Sequence, residues 1–144
     1  MATDVPSLVD VPRVLPPLDD VNRSFWTGGR DGQLLIQRCD ACRAWVHPPT
    51  TGCPACGGSL HTEPVSGRGT VFTFTVNRHP FNPAVPLPYV IAIVELEEQA
   101  DLRVVTNLVG CDADAVEIGM AVHVVFEDRG EVFVPVFEPD PSAR

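Results

Sequence analysis

Apolar and polar positions change their period once along this chain, near residues 63 to 67. After that point the pattern is β. Thr70-Val71-Phe72-Thr73-Phe74-Thr75-Val76 alternates in period two, which sends Val71, Thr73 and Thr75 to one face and Phe72, Phe74 and Val76 to the other. Tyr89 to Leu96 is a nearly continuous apolar strand. Leu102 to Val109 is another, after a turn near Gln99-Ala100-Asp101. Ile118-Gly119-Met120 introduces a strand from Val122 to Glu127. Asp128-Arg129-Gly130 is a hairpin signal, Val132 to Phe137 pairs back, and Pro139 and Pro141 end the pattern. Five strands with hairpin-like links and almost no helix predict a five-stranded Greek-key barrel of the OB type, with a small sandwich as the alternative.

Before the change the elements are shorter. Gln33 to Arg38, Ala44 to His47 and Leu60 to Glu63 read as short strands, with Pro48-Pro49 turning the chain between the last two. Leu35, Trp45 and Leu60 are their expected core. A helix is expected from Asp20 to about Trp26, capped by Asp19 or Asp20 and ended by Gly28-Gly29. Its apolar side is Val21, Phe25 and Trp26. Two uses of these aromatics stand side by side: packing on the module that follows, or covering a partner surface. Met1 to Leu18 holds Pro6, Pro12, Pro16 and Pro17 and reads as an extended arm, mobile unless a partner orders it. The expected division is an arm 1–18, a helical segment 19–33, a ribbon 34–64, a barrel 65–139 and a tail 140–144. The fold class is mainly β, with a short N-terminal helical segment ahead of both modules.

The short-strand region carries the strongest chemical signal. Cys39-Asp40-Ala41-Cys42 is followed, ten residues later, by Cys53-Pro54-Ala55-Cys56-Gly57-Gly58. Each two-residue gap lets a tight turn aim both sulfurs at one point. Cys39, Cys42, Cys53 and Cys56 together form the closed tetrahedral shell of a structural Zn²⁺. A left-handed turn at Gly57 suits the end of such a knuckle. Disulfides are the first competing reading, disfavoured because Met1-Ala2-Thr3-Asp4 has no secretory character and a cytoplasmic setting is reducing. A redox-active Cys-x-x-Cys is the second, but it needs only one pair. A four-sulfur shell leaves no open position, so the metal folds the chain rather than catalysing. The strand–knuckle–strand–knuckle–strand order is a rubredoxin-like zinc ribbon. Cys111 is left over and reads as a small buried hydrophobe.

Composition narrows the partners. The chain has 144 residues and a formal charge of −9, with 10 Lys+Arg against 19 Asp+Glu, and every one of its basic residues is arginine. Four thiolates lower that charge by four and one Zn²⁺ raises it by two, giving −11. Such a surface repels phosphate backbones, which argues against nucleic acid. No run approaches the roughly eighteen apolar residues of a membrane span.

Catalytic patterns are missing. There is no Gly-x-Gly-x-x-Gly, no P-loop and no Gly-x-Ser-x-Gly elbow. His47 is read as a surface or interface side chain, since four sulfurs already fill the metal shell. His123 alternates with Val122 and Val124 and reads as a strand-face residue. Glu95, Glu97 and Glu98 read as a solvated strand edge. The loop Asn77-Arg78-His79-Pro80-Phe81-Asn82-Pro83 is the most site-like remainder, a cation, an imidazole and an aromatic between strands. Its plainer reading is a rigid proline turn with Arg78 in solvent.

Taken together, the Phe25-Trp26 segment, Arg38-Cys39-Asp40-Ala41-Cys42, His47-Pro48-Pro49, Cys53-Pro54-Ala55-Cys56-Gly57, Ser66-Gly67-Arg68-Gly69-Thr70-Val71, Pro88-Tyr89-Val90, Val94-Glu95-Leu96 and Ile118-Gly119-Met120 form a known pattern. Over residues 19 to 139 the chain resembles the zinc-ribbon/OB-fold family long known as a domain of unknown function and encoded beside thiolases. The resemblance implies a small, non-catalytic subunit of a thiolase-superfamily complex. It implies structural Zn²⁺, a coenzyme A thioester as the ligand of the complex, and a hetero-oligomer with two copies of each chain. Some members are fused to enoyl-CoA hydratases. In the family the larger partner carries the catalytic residues, the barrel helps form the acyl-CoA channel, and the ribbon and helices pack on the partner. Leu87 to Gly110 looks most like members paired with aldolases that cleave a β-hydroxyacyl-CoA by retro-aldol chemistry in steroid side-chain breakdown. Phe25, Trp26, Arg78, His79, Phe81 and Tyr89 are the expected channel or partner contacts. Other readings are a subunit of a thiolase or acyltransferase, a stand-alone acyl-CoA binder and, third, an OB-type nucleic-acid binder. One departure from the family is that the segment after Trp26 is shorter and richer in glycine than the usual second helix.

Overall fold

The computed structural model describes residues 12 to 141. The alternating region closes into a barrel of five strands: β4 (Arg68–Asn77), β5 (Tyr89–Leu96), β6 (Arg103–Leu108), β7 (Ala121–Asp128) and β8 (Phe133–Pro139). Around the barrel the order is β4-β5-β6-β8-β7, and β7 returns to β4 through Arg68↔His123, Gly69↔Val122 and Thr70↔Ala121. This is the expected Greek-key closure and not a sandwich. All its pairings are antiparallel but one. β6 and β8 run parallel and meet only at Leu108↔Phe137.

The short length of that parallel seam has a cause in the sequence. The β7–β8 register makes alternate residues of β8 face β6, and Pro135 is two residues before Phe137 on that side. Proline has no N–H to donate, so a ladder cannot continue past it. Its carbonyl is satisfied by the Thr106 hydroxyl, which donates at 3.1 Å.

The expected alternation of β4 is corrected at one point. The register against β5 shifts between Val71 and Thr73, so one residue is left over at Phe72. Such a bulge reverses the parity beyond it. Val71 is buried, Phe72 and Thr73 both face outward, and Phe74 and Val76 return to the core. Phe72 then lies under the Arg103 guanidinium, 3.6 Å from its ring centroid.

The ribbon is a three-stranded antiparallel sheet, β2-β1-β3, of β1 (Leu34–Cys39), β2 (Trp45–Val46) and β3 (Leu60–Val65). Its expected core of Leu35, Trp45 and Leu60 needs correcting. Leu35 is only half-buried. Leu34 and Ile36, each 1% exposed, instead join the barrel's own cluster with Val71, Val94, Leu96 and Phe137, and Trp45 packs against the same cluster. What remains private to the ribbon is Cys39, Val46 and Cys53 with Leu60. The composition shift near residues 63 to 67 therefore marks a change of sheet, not a break in the core.

The helical segment also differs from expectation. Asp19 Oδ1 accepts from the N–H groups of Val21 and Asn22, but the α-helix itself, α1, spans Arg23–Thr27. A 3-10 turn then continues through the two glycines, Gly28–Asp31, and left-handed Gly32 ends it. A side chain at Gly29 would lie 2.5 Å from the Phe126 ring and 2.7 Å from Phe133. The glycine-rich departure after Trp26 is thus a close approach of this turn to β7 and β8. Of the arm expected over Met1 to Leu18, residues 12 to 18 are described. Arg13 there pairs with Glu127 at 3.0 and 3.1 Å and donates to Asn107 Oδ1 at 3.1 Å. Leu18 packs on Val132, Val134 and Val136.

Candidate metal centre and docking cleft

The two knuckles face one another at the open end of the ribbon. Cys39 ends β1, and Arg43 N–H donates back to its carbonyl at 3.1 Å. Gly57 N–H closes the second turn on the Cys53 carbonyl at 2.8 Å, with Gly57 at φ +76° as its position predicts. All four sulfurs lie within 4.8 Å of one another, Cys39–Cys56 at 3.5 Å and Cys42–Cys53 at 3.7 Å. A tetrahedron with Zn–S of about 2.3 Å has edges of about 3.8 Å. The residues therefore fit the ion. Backbone amides also favour thiolates here. The Cys42 N–H holds Cys39 down to about 6 against the desolvation that opposes it. The Cys56 N–H lowers Cys53 in the same way. The Gly58 N–H favours the Cys56 thiolate too, but the neighbouring sulfurs of Cys39, Cys42 and Cys53 raise that thiol to about 11. Four such sulfurs ionise together only around a cation. No side chain fits at Gly58, where a Cβ would stand 2.8 Å from the Cys39 sulfur. The zinc ribbon with its four cysteines is a structural site, as its spacing predicts.

His47 has no part in that shell. Its ring packs on Phe25, with centroids 4.7 Å apart, and its Nδ1 is buried without a hydrogen-bond partner. Burial pushes its pKa down to about 4, so it is neutral at pH 7.

Two clefts meet at Phe25, Trp26 and Val105. One, of about 350 Å³, is lined also by Arg13, Tyr89, Ile91, Thr106, Asn107 and residues 134 to 136 of β8. The other, of about 450 Å³, runs past Asp19, Asn22, His47, Pro48, Pro49 and Arg103. Here the open seam, α1 and the ribbon loop converge. Of the six residues expected to line a channel or partner surface, Phe25, Trp26 and Tyr89 come together in this place. Arg78, His79 and Phe81 do not. Arg78 pairs with Asp114 at 3.1 Å, and His79 packs against Phe81 at a tilt in the loop after β4. Sequence reasoning missed Val105, Ile91 and Arg13. The outward parity of the first two was the available signal. Nothing in the sequence marks Arg13 apart from the other arginines.

Two further expectations change. Glu95, Glu97 and Glu98 form a hydrogen-bonded corner, in which Glu97 stays exposed as expected and Glu95 and Glu98 are half-buried. Glu95 accepts from Asp101 N–H and from Arg103, Glu97 binds Arg68, and Glu98 accepts from Ser66 N–H at 2.8 Å. Cys111 is half-buried against the barrel core. His123 lies on the barrel strand as expected and binds Glu138 at 2.9 Å.

Comparison with known proteins agrees with this architecture. The model of the ChsH2 rubredoxin-like zinc ribbon domain matches residues 26–61, and that of the ChsH2 C-terminal OB-fold domain matches residues 62–127. A solved structure titled Ltp2-ChsH2(DUF35) aldolase contains a chain 41% identical to this one. It superposes with a TM-score of 0.77, covering 87% of this chain and 98% of that one. This chain belongs to the ChsH2 (DUF35) family. A DUF35 domain-containing scaffold protein of Methanothermobacter thermautotrophicus is 39% identical over 96 residues, covering 65% of this chain and 71% of that protein. A probable enoyl-CoA hydratase alpha subunit of Thermomonospora curvata is 43% identical over 133 residues, covering 89% of this chain and 41% of the relative. The 3-oxo-4,17-pregnadiene-20-carboxyl-CoA hydratase alpha subunit of Mycobacterium tuberculosis is 35% identical over 143 residues, covering 96% and 44%. The ChsH2-type chain thus spans under half the length of these two hydratase subunits. Among the described residues no helix is long and apolar enough to cross a membrane.

Proposed function

We propose that this ChsH2-type chain is a non-catalytic accessory subunit of a thiolase-superfamily acyl-CoA aldolase. The partner performs retro-aldol cleavage of a β-hydroxyacyl-CoA of the steroid side-chain class. The accessory chain stabilises that partner and shapes one wall of the acyl-CoA channel. The observation that carries the reading is the likeness, 41% identical over 98% of its length, to a chain of a structure titled as an Ltp2-ChsH2 aldolase. Two features of the molecule support it. The metal shell is closed, and the clefts are lined by aromatic and β-branched side chains around Phe25, Trp26 and Val105. Such a lining suits docking. Phe25, Trp26 and Tyr89, which share one cleft, and Arg78, His79 and Phe81, which lie apart from it, are the proposed channel or partner contacts. The assembly is a hetero-oligomer in the cytoplasm with two copies of each chain.

The test is activity by reconstitution. The zinc-loaded chain alone should leave a β-hydroxyacyl-CoA intact, and a thiolase-superfamily subunit mixed with it should gain aldolase activity and thermal stability. Cleavage by the isolated chain would refute the reading. The hydratase names of the two longer relatives favour a second reading, a companion domain for an enoyl-CoA hydratase. Gain of hydratase rather than aldolase activity in the same mixture distinguishes the two.

A further inference from the structure

The seam between β6 and β8 leaves one strand edge open. Leu96 N–H donates to the Leu102 carbonyl at 2.8 Å, and the β5–β6 register continues as Val94↔Val104 and Ala92↔Thr106. In an antiparallel ladder alternate residues turn their N–H and C=O to opposite neighbours. Arg103, Val105 and Asn107 therefore turn theirs away from β5, toward the seam. β8 meets β6 only at Leu108↔Phe137, so among the described residues nothing pairs with the backbone of Arg103 or Val105. The Val105 side chain beside it is 72% exposed. An unprotected edge of this kind is a template for an added strand, and proteins normally blunt it. Pro135 blunts the facing edge of β8. The β6 edge carries valine.

We infer that the Arg103–Asn107 edge of β6 receives an extended, uncharged segment of the catalytic subunit as an added strand. This deepens the accessory-subunit reading and rests on it. Backbone pairing gives affinity in such a mode, and alternate side chains give specificity. Its surroundings narrow the occupant. The edge residues line the joined clefts beside Trp26 and Pro48. A second copy of this chain is the rival occupant, and protection of the same two amides in the isolated chain would overturn the proposal. The described arm has Pro12, Pro16 and Pro17 without N–H groups and reaches β6 through the Arg13 side chain at Asn107. It leaves Arg103 and Val105 uncovered. Charge sets the chemistry of the segment. The chain carries −9 overall, yet both cations of the clefts are already paired, Arg13 with Glu127 and Arg103 with Glu95 and Asp101. Among the described residues the one anion of the lining, Asp19, accepts from the Val21 and Asn22 N–H groups, so no unpaired cation waits there for an acidic segment.

The experiment mixes the zinc-loaded chain with Ltp2, the partner named with the relative in the solved complex. It reads amide hydrogen exchange residue by residue. The expected result is binding with at least tenfold slower exchange at Arg103 and Val105. Val105→Pro, which removes the seam-facing N–H while leaving every β5 pairing bond, should weaken binding at least tenfold. Its zinc content and barrel exchange report that it is folded. Binding of the wild-type chain with unchanged exchange at these two amides would overturn the added strand and leave the accessory role standing. Absence of binding by the wild-type chain would overturn both.

Discussion

The side-chain amide of Gln99 binds the backbone of Trp45 twice. Trp45 N–H donates to Gln99 Oε1 at 2.9 Å, and Gln99 Nε2 donates to the Trp45 carbonyl at 3.0 Å. Gln99 belongs to the β5–β6 turn of the barrel and Trp45 to the edge strand of the ribbon, 54 residues apart. One side chain thus imitates a strand across the module boundary. Gln37 does the same within the ribbon, accepting from Thr50 N–H at 2.8 Å and donating to the Thr50 carbonyl at 2.9 Å. That second clasp holds the chain just after Pro48 and Pro49, which line the cleft. Ribbon, cleft wall and barrel are joined by hydrogen bonds as well as by Leu34 and Ile36.

Gln99→Ala should destabilise the zinc-loaded chain by about 1–2 kcal/mol, two part-buried bonds lost with two backbone groups left behind. Gln99→Glu should be worse, because a carboxylate still accepts from Trp45 N–H but faces the Trp45 carbonyl with a second oxygen. Chemical denaturation of the three proteins measures the order.

Zinc removal should unfold more than the ribbon. Structural zinc contributes roughly 10 kcal/mol or more in isolated fingers. The ribbon's private cluster is only Cys39, Val46, Cys53 and Leu60. Since Leu34 and Ile36 sit in the barrel cluster, Cys39→Ser and Cys56→Ser should each lose the metal and lower the stability of both modules. Metal analysis should give one zinc per wild-type chain. Calorimetry should show one transition with zinc, not two.

His47 should make the protein acid-sensitive. Its folded pKa is lowered by burial to about 4, below an unfolded value of about 6.5. The unfolded chain therefore binds the proton first, and stability falls as pH drops from about 6.5 toward 4. Between pH 7 and 5 the loss is about 2 kcal/mol by that linkage. His47→Phe keeps the ring against Phe25 and removes the orphaned Nδ1. The wild-type minus variant difference, measured by denaturation at each pH, should grow by that amount while zinc loss, common to both, cancels.

Arg13→Ala should leave Glu127, which is 4% exposed, with Arg129 at 3.5 Å as its remaining cation. A buried carboxylate losing a bidentate partner costs about 2–4 kcal/mol. Adding Glu127→Gln should restore part of that stability, because the charge that needed Arg13 is gone. A double-mutant cycle by urea denaturation checks the coupling. A cycle with no coupling would mean that the Arg13–Glu127 pair does not hold residues 12 to 18 in place.

Much of this molecule was legible in one dimension. Cysteine spacing carries the metal shell, because a knuckle is a local turn and needs only neighbours in the chain. Strand count and order of types followed from alternation for the same reason. Gly57 in a left-handed turn was readable because one residue's backbone decides it. What the sequence did not show are the places where distant segments decide. The bulge at Phe72 appears only in the register with β5. The use of Leu34 and Ile36 by the barrel depends on how two modules stack. The open edge of β6 exists because Pro135, about 30 residues along the chain, faces it and lacks a donor. The metal chemistry of Cys39, Cys42, Cys53 and Cys56 was set by sequence-local geometry. The cleft at Phe25, Trp26 and Val105 was set by tertiary packing, since no period along the chain reports which strand edges are left unpaired.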